Sequence, residues 1–479
     1  MPTALILDCG ATNVRAILVD EQGEVISSQY KSNKTLRSGT KHIWSFQQVW
    51  QKLVDCCQKV TSLVNSHDIS AVAVTTFGVD GAPFDRNGKQ IYPIVSWKCS
   101  RTESVMSQVI KEFDRRNLYL QNGVGDYPFN TLFKIKWLKD NEPEVYRMMN
   151  RWVFISSMIN FRLTGVLTTD RTMAGTSMMT NLMTGDWNKD VLEYLELTPE
   201  CFPPMVDAGE YIGVIKDDIA SLCNLPQNTP VISAGHDTQL ALFGSGAKKN
   251  QIFLSSGTWE ILTARASRVS LKFQDLDKGV TTELDTRKGL YNPAIQWLSG
   301  AVMDWVTKTF FNDLANHKDK HLAIAGEGAI APMGCNGVVF DPVFFSRPSG
   351  GVIQGFSVNT TRGEIYRAAL ESLAFRLASS LEDLSEVCDL ESNSLMVVGG
   401  GSRNILWNQI RADVLGIPME VVDQPEATVT GAAMFALSGV GVFKDAEQAQ
   451  ETMKPGYGIV EPSANSENYQ RLIEERKNA

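Results

Sequence analysis

The strongest candidate for proton transfer is a polar tripeptide that follows an apolar segment. In PVISAGHDTQLALFGSG (230–246), His236, Asp237 and Thr238 come directly after a run with the composition of a strand. Open α/β folds place their reacting groups at the carboxyl ends of strands. Asp237 is therefore a candidate general base for a substrate hydroxyl. The same residue could instead be the N-cap of the next helix, and the two roles do not exclude each other.

Glycine-rich turns follow three further apolar segments and present backbone N–H groups that could bind phosphate. The first lies in ALILDCGATNVRAILVD (4–20), the second in QIFLSSGTWEILTARA (251–266) and the third in SLMVVGGGSRNILWNQI (394–410). One such turn is weak evidence, because glycine also makes ordinary hairpins and helix caps. Three turns that each end a predicted strand favour a nucleotide-binding protein.

The first turn also carries a carboxylate, Asp8, that suits a magnesium site. Mg²⁺ takes few protein carboxylates and keeps several waters, so a single Asp is compatible with it. The alternative is that Asp8 caps its own turn. The P-loop pattern is absent, since the only Gly-Lys dipeptide, Gly88-Lys89, is followed by Gln90. Neither GSGAKK nor GGGSRN completes the dinucleotide fingerprint, which argues against a Rossmann enzyme.

A second predicted strand end gathers residues that suit a polyhydroxylated substrate. VAVTTFGVDG (72–81) exposes Gly78 and Asp80, and Trp97 and Arg101 follow soon after. An aromatic face, an arginine and a carboxylate near one crevice can hold hydroxyl groups. Each residue also has a purely structural interpretation: Trp97 in the core, Arg101 in a surface ion pair and Asp80 in a turn.

Composition excludes several classes of protein. The chain of 479 residues has 43% hydrophobic and 21% charged residues, which rules out general disorder. A net charge of -9 argues against a nucleic-acid-binding surface. No apolar run approaches the length of a membrane span, and the early Asp8 excludes a secretory leader. The 8 cysteines are scattered, which predicts reduced thiols and a cytoplasmic location.

The remaining segments alternate between helix and strand, which is typical of an α/β protein. Helices are predicted over 43–64 and 364–387 and in the tail after Pro462, and a strand over 71–78. The first two glycine turns share one profile, apolar on both sides of small residues. This similarity predicts an internal duplication whose second copy begins near residue 250, after the polar connector 244–251.

Taken in order, seven segments of the sequence resemble the FGGY family of carbohydrate kinases. They are LDCGATNVR, TTFGVDG, SWKCSR, FNTLFK, SAGHDTQ, LSSGTWE and VGGGSRN, and the resemblance spans about residues 4 to 440. It implies an α/β fold of two RNase-H-like domains, as in the superfamily of sugar kinases, Hsp70 and actin, with a cleft between the domains. Residues 1–246 would bind the sugar and supply the base, and residues 250–479 would bind the nucleotide.

The resemblance also implies an activity and roles for individual residues. ATP, with Mg²⁺, would phosphorylate the C1 hydroxyl of a ketose, and Asp237 would accept the proton. The cofactor-binding residues would be Asp8, which would also hold the metal, with Gly10, Ala11, Thr12, Asn13, Arg15, Gly257, Thr258, Gly400, Gly401 and Asn404. The substrate-binding residues would be Gly78, Asp80, His236, Thr238 and Asn292, together with the Trp97 and Arg101 noted above.

Two departures and two alternatives accompany this interpretation. Residues 308–352 fit the family pattern poorly and receive no site, and the first turn reads Gly-Ala-Thr-Asn instead of the commoner Gly-Thr-Ser. The segments FGVDGAPF (77–84) and FNTLFK (129–134) favour L-fuculose as the ketose, with L-rhamnulose or another ketose as the alternative. A nucleotide-switching protein of the same superfamily, without kinase activity, is the alternative from a different class. The sequence is compatible with a homo-oligomer and does not define one.

Overall fold

Two large mixed β-sheets, one in each half of the chain, organise the protein. The computed structural model describes residues 1–39, 41–63, 68–341, 351–423 and 426–478. Part of the poorly fitting stretch 308–352 therefore lies outside the described residues.

The first half contains the following strands and helices, given in chain order. The strands are β1 (Thr3–Cys9), β2 (Asn13–Asp20), β3 (Val25–Ser32), β4 (Leu36–Ser38), β5 (Lys41–Trp44), β6 (Ile69–Thr76), β7 (Gly81–Phe84), β8 (Ile94–Val95), β9 (Arg151–Phe154), β10 (Thr169–Asp170), β11 (Met205–Val206), β12 (Tyr211–Val214) and β13 (Pro230–His236). The helices are α1 (Phe46–Thr61), α2 (Glu103–Glu112), α3 (Arg115–Asn122), α4 (Thr131–Asn141), α5 (Pro143–Met148), α6 (Ile155–Thr164), α7 (Arg171–Gly175), α8 (Lys189–Leu195), α9 (Asp217–Cys223) and α10 (Asp237–Gly244).

The second half is built in the same way. Its strands are β14 (Gln251–Ser256), β15 (Trp259–Ala264), β16 (Val280–Leu284), β17 (Tyr291–Leu298), β18 (Val339–Asp341), β19 (Val352–Gln354), β20 (Glu391–Val398), β21 (Met419–Val422) and β22 (Tyr457–Val460). Its helices are α11 (Phe273–Asp277), α12 (Gly300–Phe310), α13 (Lys320–Ile330), α14 (Arg362–Ser385), α15 (Ile405–Leu415), α16 (Ala427–Gly439), α17 (Ala446–Met453) and α18 (Ser466–Asn478).

The two sheets share one strand arrangement. The first has the order β3-β2-β1-β6-β13-β12 and the second β16-β17-β15-β14-β20-β21-β22. The five strands β3-β2-β1-β6-β13 thus correspond to β17-β15-β14-β20-β21. In each, the first strand in sequence pairs antiparallel with the next and parallel with a later strand, β1 with β2 and β6, and β14 with β15 and β20. The predicted duplication and the two-domain α/β fold are therefore confirmed.

Local sequence explains one buried strand and the helices that the sequence predicts. β1 is buried along its whole length, as a continuous apolar run predicts for a central strand. The helix predicted over 364–387 is α14, which begins after Thr361 in a capping box with Glu364. The helix predicted over 43–64 is α1, which begins after the N-cap Ser45. The predicted tail helix is α18.

One helix of each half, α10 in the first and α16 in the second, covers the sheet of the other half. α16 contributes Val429 and Phe435 to a core with Ala4, Ile6 and other residues of the first sheet. α10 contributes Leu242 to a smaller core with Phe253 and Met396 of the second sheet and further residues of β20 and β21. The two sheets are therefore joined through a pair of crossing helices. The assignment of separate roles to residues 1–246 and 250–479 stays a prediction.

Glycines let the backbones of α10 and α16 touch where they cross. A Cβ on Gly244 would overlap the carbonyl oxygen of Ala427 and lie 2.5 Å from the nitrogen of Gly431. A Cβ on Gly431 would overlap the carbonyl oxygen of Leu240 in the same way. Since backbone atoms cannot move aside as a flexible side chain can, any larger residue must separate the helices.

No helix in the described part of the chain has the length and apolarity needed to cross a membrane. This finding agrees with the absence of a long apolar run in the sequence.

We predict that Gly244→Ala and Gly431→Ala each destabilise the protein by about 1–3 kcal/mol or more, because the added methyl group overpacks the crossing. Gly326→Ala is the matched control: Gly326 lies inside α13 with no atom within 4 Å of its Cβ position. There the same change should stabilise by about 0.5–1 kcal/mol through helix propensity. Thermal melting of the three variants measures the difference, and equal shifts in all three would contradict the crossing as the cause.

Candidate active site

A cavity of about 500 Å³ lies between the two halves of the chain and is lined by both. Five of the predicted substrate-binding residues line it, namely Gly78, Trp97, His236, Thr238 and Asn292. The wall also includes aromatic and aliphatic side chains, among them Phe77, Val79, Tyr127, Phe129 and Trp259. A polyhydroxylated molecule with an apolar face would match this mixture of surfaces.

The candidate base stands at the junction of β13 and α10. Asp237 is the first residue of α10, and His236 rather than Asp237 occupies the N-cap position. The Asp237 side chain is 34% exposed and lies 3.5 Å from Nε2 of His236, measured from Oδ1. The side chain is thus accessible to a substrate hydroxyl, as a general base requires.

A buried carboxyl group fixes the strand end that precedes the base. Asp170 accepts hydrogen bonds from Thr172 N at 2.8 Å and Ser233 Oγ at 3.1 Å, and Thr172 Oγ1 accepts from His236 N at 2.8 Å. Burial raises the pKa of Asp170 to about 6, against the hydrogen bonds from Thr172 and Ser233. Gly235 has φ +120°, and a Cβ there would overlap Asp170 and Thr172. Only glycine therefore allows β13 to reach this position.

Gly78 is required for a second close approach. A Cβ at this position would lie 2.5 Å from Nε2 of His236 and 2.9 Å from the methyl carbon of Thr176. The predicted sugar contact Gly78 thus forms the part of the cavity wall against which the His236 ring rests.

The first glycine turn brings together three charged side chains. Nε of Arg15 donates to Oδ2 of Asp8 at 2.7 Å, and Nη1 of Arg15 donates to Oε2 of Glu426 at 2.7 Å. Burial raises the pKa of Asp8 to about 6; Arg15 opposes this shift, whereas the charges of Asp237 and Glu426 add to it. The predicted phosphate element thus contains an arginine that is already paired with two carboxylates.

These carboxylates fit a magnesium ion that is coordinated mainly by water and phosphate. The negative charge of Asp237 raises the pKa of Asp8, so a cation near both would relieve their repulsion. No group of three or more His, Cys, Asp or Glu suited to a metal was found among the described residues. Mg²⁺ itself uses one or two carboxylates together with substrate phosphates, and Asp8 offers one. The role of Asp8 as the ligand stays a prediction.

The second and third glycine turns are tied together by a buried ion pair. Glu260 and Arg411 are both 0% exposed and contact each other, and Nη2 of Arg411 also donates to Ser256 Oγ at 2.9 Å. A Cβ on Gly401 would overlap Ser256 Oγ, so the third turn lies directly against the second. The predicted phosphate residues Gly257 and Thr258 therefore lie beside the glycines of the third turn.

Asn404, predicted to contact adenosine, also caps α15. Its side chain accepts from Trp407 N at 3.2 Å and donates to the hydroxyl of Tyr366 at 2.8 Å. In the first turn, Asn33 donates to the carbonyl oxygens of Gly10 and Thr12 through its side chain and backbone nitrogens. Contacts of these turns with a nucleotide, including those of Ala11, Asn13 and Gly400, stay predictions.

Two predicted substrate residues lie behind the cavity wall rather than on it. Asp80 is 0% exposed; its carboxylate contacts Lys134 and accepts from Trp44 Nε1 at 2.7 Å and Trp97 N at 3.1 Å. Arg101 packs over the ring of Trp137, 4.8 Å from its centroid. Both donors to one Asp80 oxygen belong to tryptophans, so Asp80 holds Trp97 in the wall instead of facing the cavity.

Other cavity residues were not found by sequence reasoning. Thr176, Gln239, Glu283 and Gln296 line the cavity with polar atoms. Gln239 stands in the quoted segment SAGHDTQ, so its position next to the base was a usable signal. Glu283 lies on an edge strand far along the chain, and nothing in its neighbourhood indicated a site.

Comparison with known proteins defines the class. Residues 3–244 match the N-terminal domain of the FGGY family of carbohydrate kinases, and residues 252–440 match its C-terminal domain. The chain belongs to the FGGY family of carbohydrate kinases, as the seven sequence segments predicted.

Two individual relatives and one solved structure are also similar to this chain. The chain is 47% identical over 464 residues to an L-fuculokinase from Haemophilus influenzae, covering 95% of this chain and 98% of the relative. A rhamnulokinase from Oceanobacillus iheyensis is 23% identical over 469 residues, covering 95% and 97%. The crystal structure of a xylulose kinase from Rhodospirillum rubrum has the same fold, with a TM-score of 0.90 over 99% of this chain and 98% of that chain at 22% identity.

We predict that Asp80→Asn destabilises the protein by about 3–5 kcal/mol, because it leaves the buried Lys134 without its counter-charge. The matched control is Asp313→Asn, which removes the charge from an exposed partner of Arg362. The side chain of Asp313 is 59% exposed and that of Arg362 is 32% exposed. That change should cost about 0–1 kcal/mol. Thermal melting compares the two, and similar small shifts would show that Lys134 does not depend on Asp80.

Proposed function

We propose that this carbohydrate kinase transfers the γ-phosphoryl group of ATP to the C1 hydroxyl of L-fuculose and works in the cytoplasm. The position of Asp237 at the end of β13, between two cavity-lining residues, carries the chemical part of this proposal. The similarity over nearly the whole chain to an L-fuculokinase supports the choice of sugar. Sugar kinases of this family use ATP with Mg²⁺.

The reaction needs little covalent participation by the protein. Phosphoryl transfer depends mainly on positioning and on stabilising the charge of the transferred group. We place the ketose in the cavity with its C1 hydroxyl against Asp237. Asp237 accepts the hydroxyl proton as the new oxygen–phosphorus bond forms, while the bond between the γ-phosphorus and the bridging oxygen breaks and ADP leaves. An ordinary Asp is a weak base at neutral pH, which suffices if the proton leaves late in the step.

The glycine turns would hold the nucleotide at the other side of the base. The first turn presents Asp8, and the second and third turns lie beside each other at the ends of β14 and β20. Mg²⁺, held by Asp8 when bound, would supply positive charge to the phosphates. Arg15 and the backbone N–H groups of the turns would orient the phosphates, Asp8 would act on them only through the bound Mg²⁺, and enclosure between the halves would limit hydrolysis by water.

The apolar part of the cavity suits a 6-deoxysugar. Phe77, Val79, Tyr127 and Phe129 offer a surface for a methyl group and for the C–H face of the ligand. L-Fuculose and L-rhamnulose both carry that methyl group and differ in the configuration of one hydroxyl. Polar cavity residues that pair with one configuration leave a group unpaired with the other, which costs about 1–3 kcal/mol.

We predict that kcat/KM favours L-fuculose over L-rhamnulose by roughly tenfold or more, as one mismatched buried hydrogen bond would give. Purified protein, ATP and Mg²⁺ with a panel of ketoses measure this ratio. The reverse order of the two kcat/KM values would show that L-fuculose is not the preferred substrate, while the assignment as a carbohydrate kinase would stand. ATP binding without phosphorylation of any ketose would support the nucleotide-switching alternative.

We predict that Asp237→Asn lowers kcat by a factor of about 10²–10⁴, the usual contribution of a positioned base. The control is Asp217→Asn, since Asp217 is likewise the first residue of a helix, α9, and is exposed there. Calorimetry with the sugar should show that binding is retained in both variants. Turnover near that of the wild type in Asp237→Asn would mean that the carboxylate serves only the helix end.

A further inference from the structure

A line of contacts runs from the second half of the chain to the candidate base. Glu283 on β16 accepts from Thr176 Oγ1 at 2.7 Å with one carboxylate oxygen and from Nε2 of Gln239 with the other. The amide oxygen of Gln239 contacts Nδ1 of His236. Nε2 of the same ring lies 3.5 Å from Oδ1 of Asp237. Three side chains, those of Glu283, Gln239 and His236, thus connect an edge strand of the second sheet to Asp237.

The chemistry of these groups sets the direction of each hydrogen bond. An ionised carboxylate only accepts, so the NH₂ group of Gln239 must face Glu283 and its oxygen must face His236. An amide oxygen also only accepts, so Nδ1 of His236 must carry a proton. Nε2 is then the ring nitrogen that faces Asp237 and the cavity. Without Glu283, the Gln239 amide could turn over and the ring could take the other tautomer.

The first two side chains of this line are held in place. Thr282 N donates to the carbonyl oxygen of Gly123 at 2.7 Å, and the hydroxyl of Tyr119 donates to that of Val280 at 3.1 Å. These bonds fix the part of β16 that directly precedes Glu283 against the first half. Gln239 is 3% exposed, so its side chain has little freedom except rotation of the amide.

We propose that Glu283 and Gln239 are positioning residues that fix the tautomer and orientation of His236, so that its Nε2, beside Asp237 on the cavity side, accepts a hydrogen bond from a sugar hydroxyl. The inference rests on the proposed kinase function with Asp237 as base. Because Glu283 comes from the second sheet, His236 is oriented in this way only while β16 contacts the first half.

Exchanging the amide of Gln239 and the carboxylate of Glu283 tests this line of contacts. Glu283→Gln removes the charge that orients Gln239, and Gln239→Glu places two carboxylates against each other. We expect each single variant to lower kcat/KM for the sugar by roughly tenfold or more, since small misplacement of reacting groups is costly. The double variant Gln239→Glu with Glu283→Gln again pairs one amide with one carboxylate, and it should recover most of the loss. KM for ATP should stay unchanged, because the line does not touch the glycine turns.

The protonation of His236 can be read without substrate. NMR spectra of protein labelled with ¹⁵N-histidine contain the signals of the 5 histidines, and the signal that disappears in His236→Asn is that of His236. We expect Nδ1 of His236 to be protonated in the wild type and in the double variant. Glu283→Gln should shift this signal toward the form protonated on Nε2.

A surface pair provides the matched control. Nε2 of Gln108 donates to Oε1 of Glu112 at 2.8 Å on the exposed side of α2. Glu112→Gln should leave kcat, KM and the His236 signal unchanged. An unprotonated Nδ1 in the wild type, or a double variant no more active than the single variants, would overturn the inference. Failure of the wild type to phosphorylate L-fuculose would overturn the proposed function instead, and the ¹⁵N signal would still decide the tautomer.

Discussion

The close crossing of α10 and α16 is the constraint on which the arrangement of the site depends. Gly244 and Gly431 allow backbone contact there, and the helices carry apolar side chains into both sheets. Asp237 begins one of these helices, and Glu426, the partner of Arg15, directly precedes the other. The distance between the helix axes therefore determines where the base lies relative to Asp8 and the first glycine turn.

Two buried ion pairs hold parts of the structure near the cavity in place. Asp80 with Lys134 and Glu260 with Arg411 are removed from water, and each pair has additional hydrogen-bond partners. Such pairs add little net stability compared with apolar residues, but losing one partner is costly. Here they hold parts that must not move: the wall that carries Trp97, and the contact between the second and third glycine turns.

Much of this architecture was predictable from local sequence. The three glycine turns, the helix that begins after Thr361 and the strand before Asp237 each depend on neighbouring residues, and the structure confirms them. Five of the predicted sugar-binding residues line the cavity. Three of them, Gly78, His236 and Thr238, lie together because the parallel strands β6 and β13 end at one edge of the sheet. Asp80 and Arg101 do not line it, since a polar residue near a strand end can pair inward as readily as outward.

The sequence by itself determined the class of fold, the family and the position of the candidate base at a strand end, because burial patterns, glycine turns and strand ends are properties of short segments. Only the tertiary structure decided that Glu283 approaches Gln239, that Glu426 pairs with Arg15 and that α10 and α16 each cover the sheet of the other half. These contacts join residues that are far apart in the chain. Their formation depends on how the two sheets pack against each other, and no local pattern of residue types specifies which distant residues will meet.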